Sequence, residues 1–171
     1  YNKPVKNSNE GLLRVEIVEA RNLIAADLGG TSDPFVELIV GDEVPKKGTV
    51  PSFTSVVWKN LDPVWEETFI FNVKREFSIL TLDVYDKDTI SIASDHLGRI
   101  QLSLDKLVRG KQVDQWIPLQ MAPKGQVRVR ITALDFGLDP AKHEVVPFVP
   151  RKVNEFNGQK LLSGLTGSLA G

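Results

Sequence analysis

The chain has 171 residues, of which 42% are hydrophobic and 25% charged, with a formal net charge of −1. These values suit one globular domain with a sizeable core, and they give no global attraction to nucleic acid or to an anionic surface. The lack of cysteine excludes disulfides, thiolate zinc sites and cysteine nucleophiles, and no run of about 18 apolar residues is present to cross a bilayer as a helix.

Residues 1–10 are polar, show no signal-peptide pattern and read as a leader; the opening Tyr1-Asn2-Lys3 leads us to expect a fragment of a larger protein. From Gly11 the chain alternates. Leu13, Val15 and Ile17 fall on one face and Arg14, Glu16 and Val18 on the other, as in a half-buried strand. A loop follows to Pro34, with Gly29 and Gly30 for unusual dihedrals and with Asp27 and Asp33 as its acidic residues. Phe35 to Val40 predicts a second strand and the β-rich run Phe53 to Lys59 a third. Val64 to Val73 predicts a fourth, with Glu67, Phe69, Phe71 and Val73 opposed to Thr68, Ile70 and Asn72. The fifth covers Ile79 to Tyr85, and the sixth His96 to Leu104. Asp105 to Gly110 reads as one short helical turn. Asp114 to Leu119 predicts an edge strand, because Pro118 cannot donate to a ladder. The alternation from Gln126 to Leu134 gives strand eight. Eight strands with turn signals between them predict an all-β fold, an eight-stranded antiparallel β-sandwich spanning residues 11–136. From Gly137 the prolines and glycines sustain no period, so residues 137–171 read as a linker or tail.

The loop after strand five holds Asp86, Asp88 and Asp95 within ten residues. Residues two apart on extended backbone point the same way, so Asp86 and Asp88 repel unless a cation, a proton or water intervenes. Hard oxygen ligands converging from a loop suit calcium. If successive strands alternate direction, the loops after strands one and five lie at one pole, which brings Asp27 and Asp33 to the same end. The two ends of the sandwich lie at the other pole. Ile90 and Ile92 are unexpected in so polar a loop.

Four stretches, in order, carry a family resemblance: Leu23 to Asp27 with Thr31 to Phe35, Leu61-Asp62-Pro63-Val64-Trp65-Glu66-Glu67, Val84-Tyr85-Asp86-Lys87-Asp88, and Asp95-His96-Leu97-Gly98. They resemble the C2 domain, a calcium- and phospholipid-binding β-sandwich. The starting strand resembles the permuted, type II topology, and Trp116 to Val129 resembles the extended synaptotagmin and tricalbin group. The resemblance implies Asp27, Asp33, Asp86, Asp88 and Asp95 as calcium ligands, joined by the backbone carbonyls of Ala26 and Lys87. It implies two to three calcium ions. Two positions depart from the pattern. Asp88 and Asp95 stand one residue further apart than is common, which makes Ser91 and Ser94 candidate helpers, and Asp62 replaces a frequent asparagine, where a structural role is expected.

Five carboxylates in one cup repel each other when empty and approach neutrality when calcium fills it, so the ion acts as an electrostatic switch. Lipid phosphate oxygens complete the coordination that a shallow cup leaves open, which couples calcium and anionic phospholipid membrane positively. Ile90 and Ile92, with Leu28 as a lesser candidate, are then membrane-contact residues, each contributing on the order of 1–3 kcal/mol if fully buried. The expected function is a calcium-dependent phospholipid-binding module, monomeric as a domain, within a tethering, trafficking or signalling protein. The expected location is cytoplasmic and peripheral at a membrane surface, including endoplasmic reticulum–plasma membrane contacts, without nucleic acid as a partner. A calcium-independent module for protein partners is the alternative. An enzyme using magnesium for phosphoryl chemistry is not expected, since no nucleophile or basic partner accompanies the carboxylates. Lys46, Lys47, Lys59, Arg128 and Arg130 read as a solvated face in preference to a phosphoinositide site. Trp65 and Trp116 read as core or rim packing, and His96 and His143 as bystanders.

Overall fold

The structure, a computed structural model, describes residues 10–74, 78–87 and 95–153. Its strands are β1 (Gly11–Arg21), β2 (Pro34–Gly41), β3 (Ser52–Phe53), β4 (Val64–Val73), β5 (Ile79–Asp86), β6 (Asp95–Ser103), β7 (Gln112–Pro118) and β8 (Gln126–Ala133). They form two four-stranded sheets, ordered β4-β1-β8-β7 and β3-β2-β5-β6. Every strand pairing is antiparallel, including those between strands far apart in the chain, such as β1 with β8. The expected eight-stranded sandwich is thus what the chain forms.

Between the sheets the alternating residues meet: Leu13, Val15 and Ile17 of β1, Val36 and Leu38 of β2, Leu80, Leu82 and Val84 of β5, and Val127, Val129 and Ile131 of β8. Burying each such side chain stabilises the fold by about 1.5–3 kcal/mol before chain entropy is charged against it.

Three local expectations are corrected. Strict alternation sets Val18 opposite Ile17, yet both are buried, because the ladder slips between Ile17 and Glu19 at a bulge and rotates Val18 inward. The third strand ends at Phe53 instead of Lys59; beyond it the chain crosses to β4 as a loop held by hydrogen bonds to residues 32–36. Asp105 to Gly110 is no helical turn but a pair of tight turns around a bridge between Val108 and Leu138.

The segment expected as linker or tail runs against the sandwich as far as residue 153. It leaves β8 at the pole opposite the Asp27–Asp33 loop, makes the Val108 bridge, then returns along the open seam between β6 and β7. Two glutamines clamp its backbone. Gln115 accepts from Phe148 N–H (2.8 Å) and donates to Phe148 O (2.9 Å), while Gln120 accepts from Val153 N–H (2.7 Å) and donates to Arg151 O (2.7 Å). Arg151 N–H also donates to Gln101 O at 2.9 Å, and Val153 is buried. Each amide side chain does for the strap what a ladder would do for a strand, satisfying backbone groups at the seam.

Candidate metal centre at one pole of the sandwich

Strand direction places four connections at one pole, residues 119–125 and the three that surround the acidic residues: 22–33, 54–63 and the loop after β5. The first is folded by a buried serine. Ser32 Oγ donates to Ile24 O (2.8 Å) and accepts from Ala26 N–H (2.9 Å), drawing the two ends of the loop together. A tight turn from Asp27 to Thr31 forms its tip, closed by Gly30 N–H on Asp27 O (3.0 Å) and Asp27 N–H on Thr31 O (2.9 Å). Leu28 stands fully exposed on that turn.

Asp86 belongs to the strand, not to the loop. As the last residue of β5 it pairs across to Pro34 on one side and Asp95 on the other. Its Oδ1 accepts from Asp33 N–H at 2.6 Å. Asp33 in turn accepts from Lys59 N–H through Oδ1 (2.7 Å), and its carbonyl accepts from Lys87 N–H (2.9 Å). These bonds fix all three connections to one another. Carboxylate oxygens of Asp27, Asp33 and Asp86 lie within 4.8 Å of one another.

The second oxygen of Asp86, Oδ2, is buried without a hydrogen-bond partner, in a residue only 1% exposed. A buried carboxylate oxygen without a donor, in a residue clustered with two further carboxylates, costs free energy unless a proton or a cation is shared among them. Burial, together with the neighbouring Asp27 and Asp33 charges, pushes the Asp86 carboxyl up to about 6, against the downward pull of the Asp33 N–H. The donor set therefore fits a hard divalent cation: all-oxygen, convergent, and short of one neutralising charge at its buried end.

Of the residues expected as ligands, Asp27, Asp33 and Asp86 are brought together. Ala26 and Lys87 flank two of them in the chain, on the same loops. Asp95 opens β6 opposite Asp86 but is exposed and is not one of the three whose oxygens converge. Asp88, Ile90 and Ile92, with Ser91 and Ser94, lie outside the described residues. Asp62 has the structural role expected of it, accepting from Asn22 N–H at 2.8 Å.

Other expectations resolve differently. His96, expected as a bystander to any metal or catalytic site, has a structural partner. It bonds to Asp83 Oδ1 through Nε2 (2.7 Å), beside Arg99 Nε on the same oxygen (2.8 Å), with Tyr85 against its ring. Burial pushes the Asp83 carboxyl up, but these two partners outweigh it and hold Asp83 below the ordinary carboxylate range. The basic residues do not assemble into one face. Arg128 and Arg130 are spent on Asp114, Glu19 and Glu16 across the outer surface of the first sheet, at 2.9–3.2 Å. Lys46 lies in the β2–β3 connection at the far pole beside Asp42, and Lys59 lies at the carboxylate pole. Trp65 is a rim-to-core residue whose Nε1 donates to Ser55 O (2.9 Å), and Arg21 lies 3.9 Å over the Trp116 ring. Trp58, read from sequence as part of a strand, is 57% exposed on the 54–63 connection. A lone tryptophan in a β-rich run gave no reason to expect it there.

Comparison with known proteins agrees with this geometry. A family profile described as C2 domain matches residues 11–119. Extended synaptotagmin-3 of Mus musculus is 32% identical over 134 residues, covering 75% of this chain and 14% of that protein. The solved structure of C2 domain A from a plant extended synaptotagmin 1 superposes with a TM-score of 0.64 at 29% identity, over 74% of this chain and 95% of that one. C2 domains A and B of extended synaptotagmin 2, in a calcium-bound structure, give a TM-score of 0.59 at 26% identity over 71% of this chain and 45% of that one. The chain thus spans about a seventh of the length of the curated relative. Fold, strand order, carboxylate pole and family match converge: the chain belongs to the C2 domain family.

Proposed function

We propose that this chain is a calcium-dependent module for binding anionic phospholipid membranes. The observation that carries the reading is the convergence of Asp27, Asp33 and Asp86, whose carboxylate oxygens lie within 4.8 Å of one another, at a residue whose Oδ2 is buried without a donor. Those three carboxylates form the inner part of the site, which the carbonyls of Ala26 and Lys87 and the side chains of Asp88 and Asp95 complete around two to three ions. Calcium supplies positive charge at the pole. It removes the mutual repulsion of the carboxylates and leaves coordination positions open to lipid phosphate oxygens. Because each ligand then raises the affinity for the other, calcium and membrane binding are thermodynamically reciprocal. Ile90, Ile92 and Leu28 enter the interfacial region beside the ions.

The similarity to extended synaptotagmins supports a peripheral position at a cytoplasmic membrane surface, including contacts between the endoplasmic reticulum and the plasma membrane. The test is sedimentation with phosphatidylserine vesicles, with calcium and with chelator. Wild type pellets only with calcium, and a combined Asp86→Asn and Asp88→Asn variant stays in the supernatant. Pelleting indifferent to calcium, or to that variant, would refute the reading.

A further inference from the structure

The connection between β3 and β4, residues 54–63, contributes no carboxylate to the cluster, yet it is tightly bound to the loop that does. Thr54 N–H donates to Val36 O, Val57 N–H to Pro34 O and Asn60 N–H to Ser32 O, at 2.9–3.0 Å. Lys59 N–H donates to the Asp33 carboxylate at 2.7 Å. Beneath, Glu67 accepts from both the backbone and the hydroxyl of Ser55. Between Val57 and Lys59 the side chain of Trp58 is 57% exposed, whereas Trp65 is 8% exposed. Leu28, on the neighbouring Asp27–Thr31 turn, is exposed as well. Exposed large apolar residues on two separate loops thus stand at the carboxylate pole.

We propose that Trp58 is a membrane-interface anchor, placed on a connection that holds none of the clustered carboxylates and acting together with Leu28. The inference rests on the membrane-binding reading above and adds a contact residue to it. The occupant is a lipid surface because the feature projects at a pole and most of its backbone donors, those at 54, 55, 57, 59, 60 and 62, are already paired. A loop whose N–H groups at 57, 59 and 60 are paired enters the headgroup region without leaving them orphaned. The indole suits that layer, with an apolar body and a polar N–H edge. The exposed Lys59 brings an ammonium to the same depth as lipid phosphates, while its own N–H stays on Asp33. That bond ties the anchor rigidly to the ion site, so calcium loading and indole insertion share one orientation of the domain.

The test uses intrinsic fluorescence of the full chain with phosphatidylserine–phosphatidylcholine vesicles carrying brominated acyl chains. With calcium, wild type shows a blue-shifted emission and quenching by shallow bromines, and Trp58→Phe loses most of both, since Trp65 is enclosed and Trp116 is covered by Arg21. Trp58→Ala weakens vesicle affinity by about 5- to 20-fold, with its melting temperature and its lipid-free calcium titration unchanged. Calcium-dependent vesicle binding without quenching, and with undiminished affinity in Trp58→Ala, overturns the anchor and leaves the membrane reading standing. Wild type that fails to bind vesicles with calcium overturns both.

Discussion

At position 86 a carboxylate is held between two environments. Its backbone belongs to β5, the central strand of its sheet beside β2 and β6, so the side chain is set with the precision of a ladder, and one oxygen is used up by Asp33 N–H. The other oxygen is buried without a donor, in a residue clustered with two further carboxylates. A carboxyl raised from 3.8 to about 6 in the folded chain favours the protonated form there. The sign follows from linkage. Below pH 3.8 the group is protonated in both folded and unfolded chains and contributes nothing. Between 3.8 and about 6 the unfolded chain ionises first, so the ion-free fold is progressively destabilised, and above about 6 the cost is complete. In chelator, Asp86→Asn therefore raises stability relative to wild type by on the order of 1–3 kcal/mol at pH 7 and by little at pH 4. Urea melts at the two pH values measure that difference, and an equal effect at both would contradict the assignment. The same protonation is expected to compete with the calcium proposed for this pole, so that calcium titrations should weaken as pH drops through about 6. Asp27, Asp33 and Asp86 were legible as a set because alternation fixed strand direction, and direction fixed which loops share a pole. The burial of Asp86 was not legible, since the fifth strand looked finished at Tyr85 and only the pairing with Pro34 and Asp95 extends it.

Elements with a period of two were readable; elements built from side chain to backbone bonds were not. Seven of the expected strands appear with end shifts of at most two residues, while β3 shrinks to Ser52–Phe53. The run Phe53 to Lys59 has β-forming residues, but its backbone donors go to Val36, Pro34, Asp33 and Ser32 in a crossing path and so cannot continue a ladder. The strap along the β6–β7 seam is similar. Nothing in its prolines and valines announces that Gln115 and Gln120 will hold it, because a clamp needs only one residue and leaves no pattern. Its departure from β8 depends on Gly137. That residue has φ +96°, a left-handed region that side chains disfavour, and a Cβ there would overlap the backbone carbonyl of Leu107. Gly137→Ala is expected to destabilise the domain by about 1–3 kcal/mol, read as a lower midpoint in chemical denaturation. An unchanged midpoint would mean that the strap departs from β8 along another path.

Among the described residues, charge is distributed so that the carboxylate pole differs from flanks that carry paired charges. The Arg128 and Arg130 ladder with Asp114, Glu16 and Glu19 cancels on the outer surface of the first sheet, and Asp83 with Arg99 and His96 cancels on the second. Repulsion is left concentrated where Asp27, Asp33 and Asp86 meet. An ion that binds the folded chain and not the unfolded one stabilises by about 2.7 kcal/mol at a hundred times its Kd. Calcium in such excess is therefore expected to raise the melting temperature by roughly 5–11 °C, at about 2–4 °C per kcal/mol for a chain of this size, with chelator reversing it. Magnesium at equal concentration should do less, because its near-octahedral demand is poorly met by a cup of side chains from the β1–β2 connection and the end of β5. A scan with no calcium shift would remove the ion from the pole.

The return of the strap along the seam also decides how the domain carries load. Gly11 begins β1 at the pole far from the carboxylates, while Val153 has travelled back to the level of Gln101 and Gln120. A pull applied between these two points runs along the strands, not across them. The clamps of Gln115 and Gln120 and the Arg151–Gln101 bond then bear the force together, in shear, where a strap leaving at right angles would surrender them one after another. Tension between Gly11 and Val153 consequently loads two sets of bonds in shear, the ladders of β1 at one end and the seam at the other.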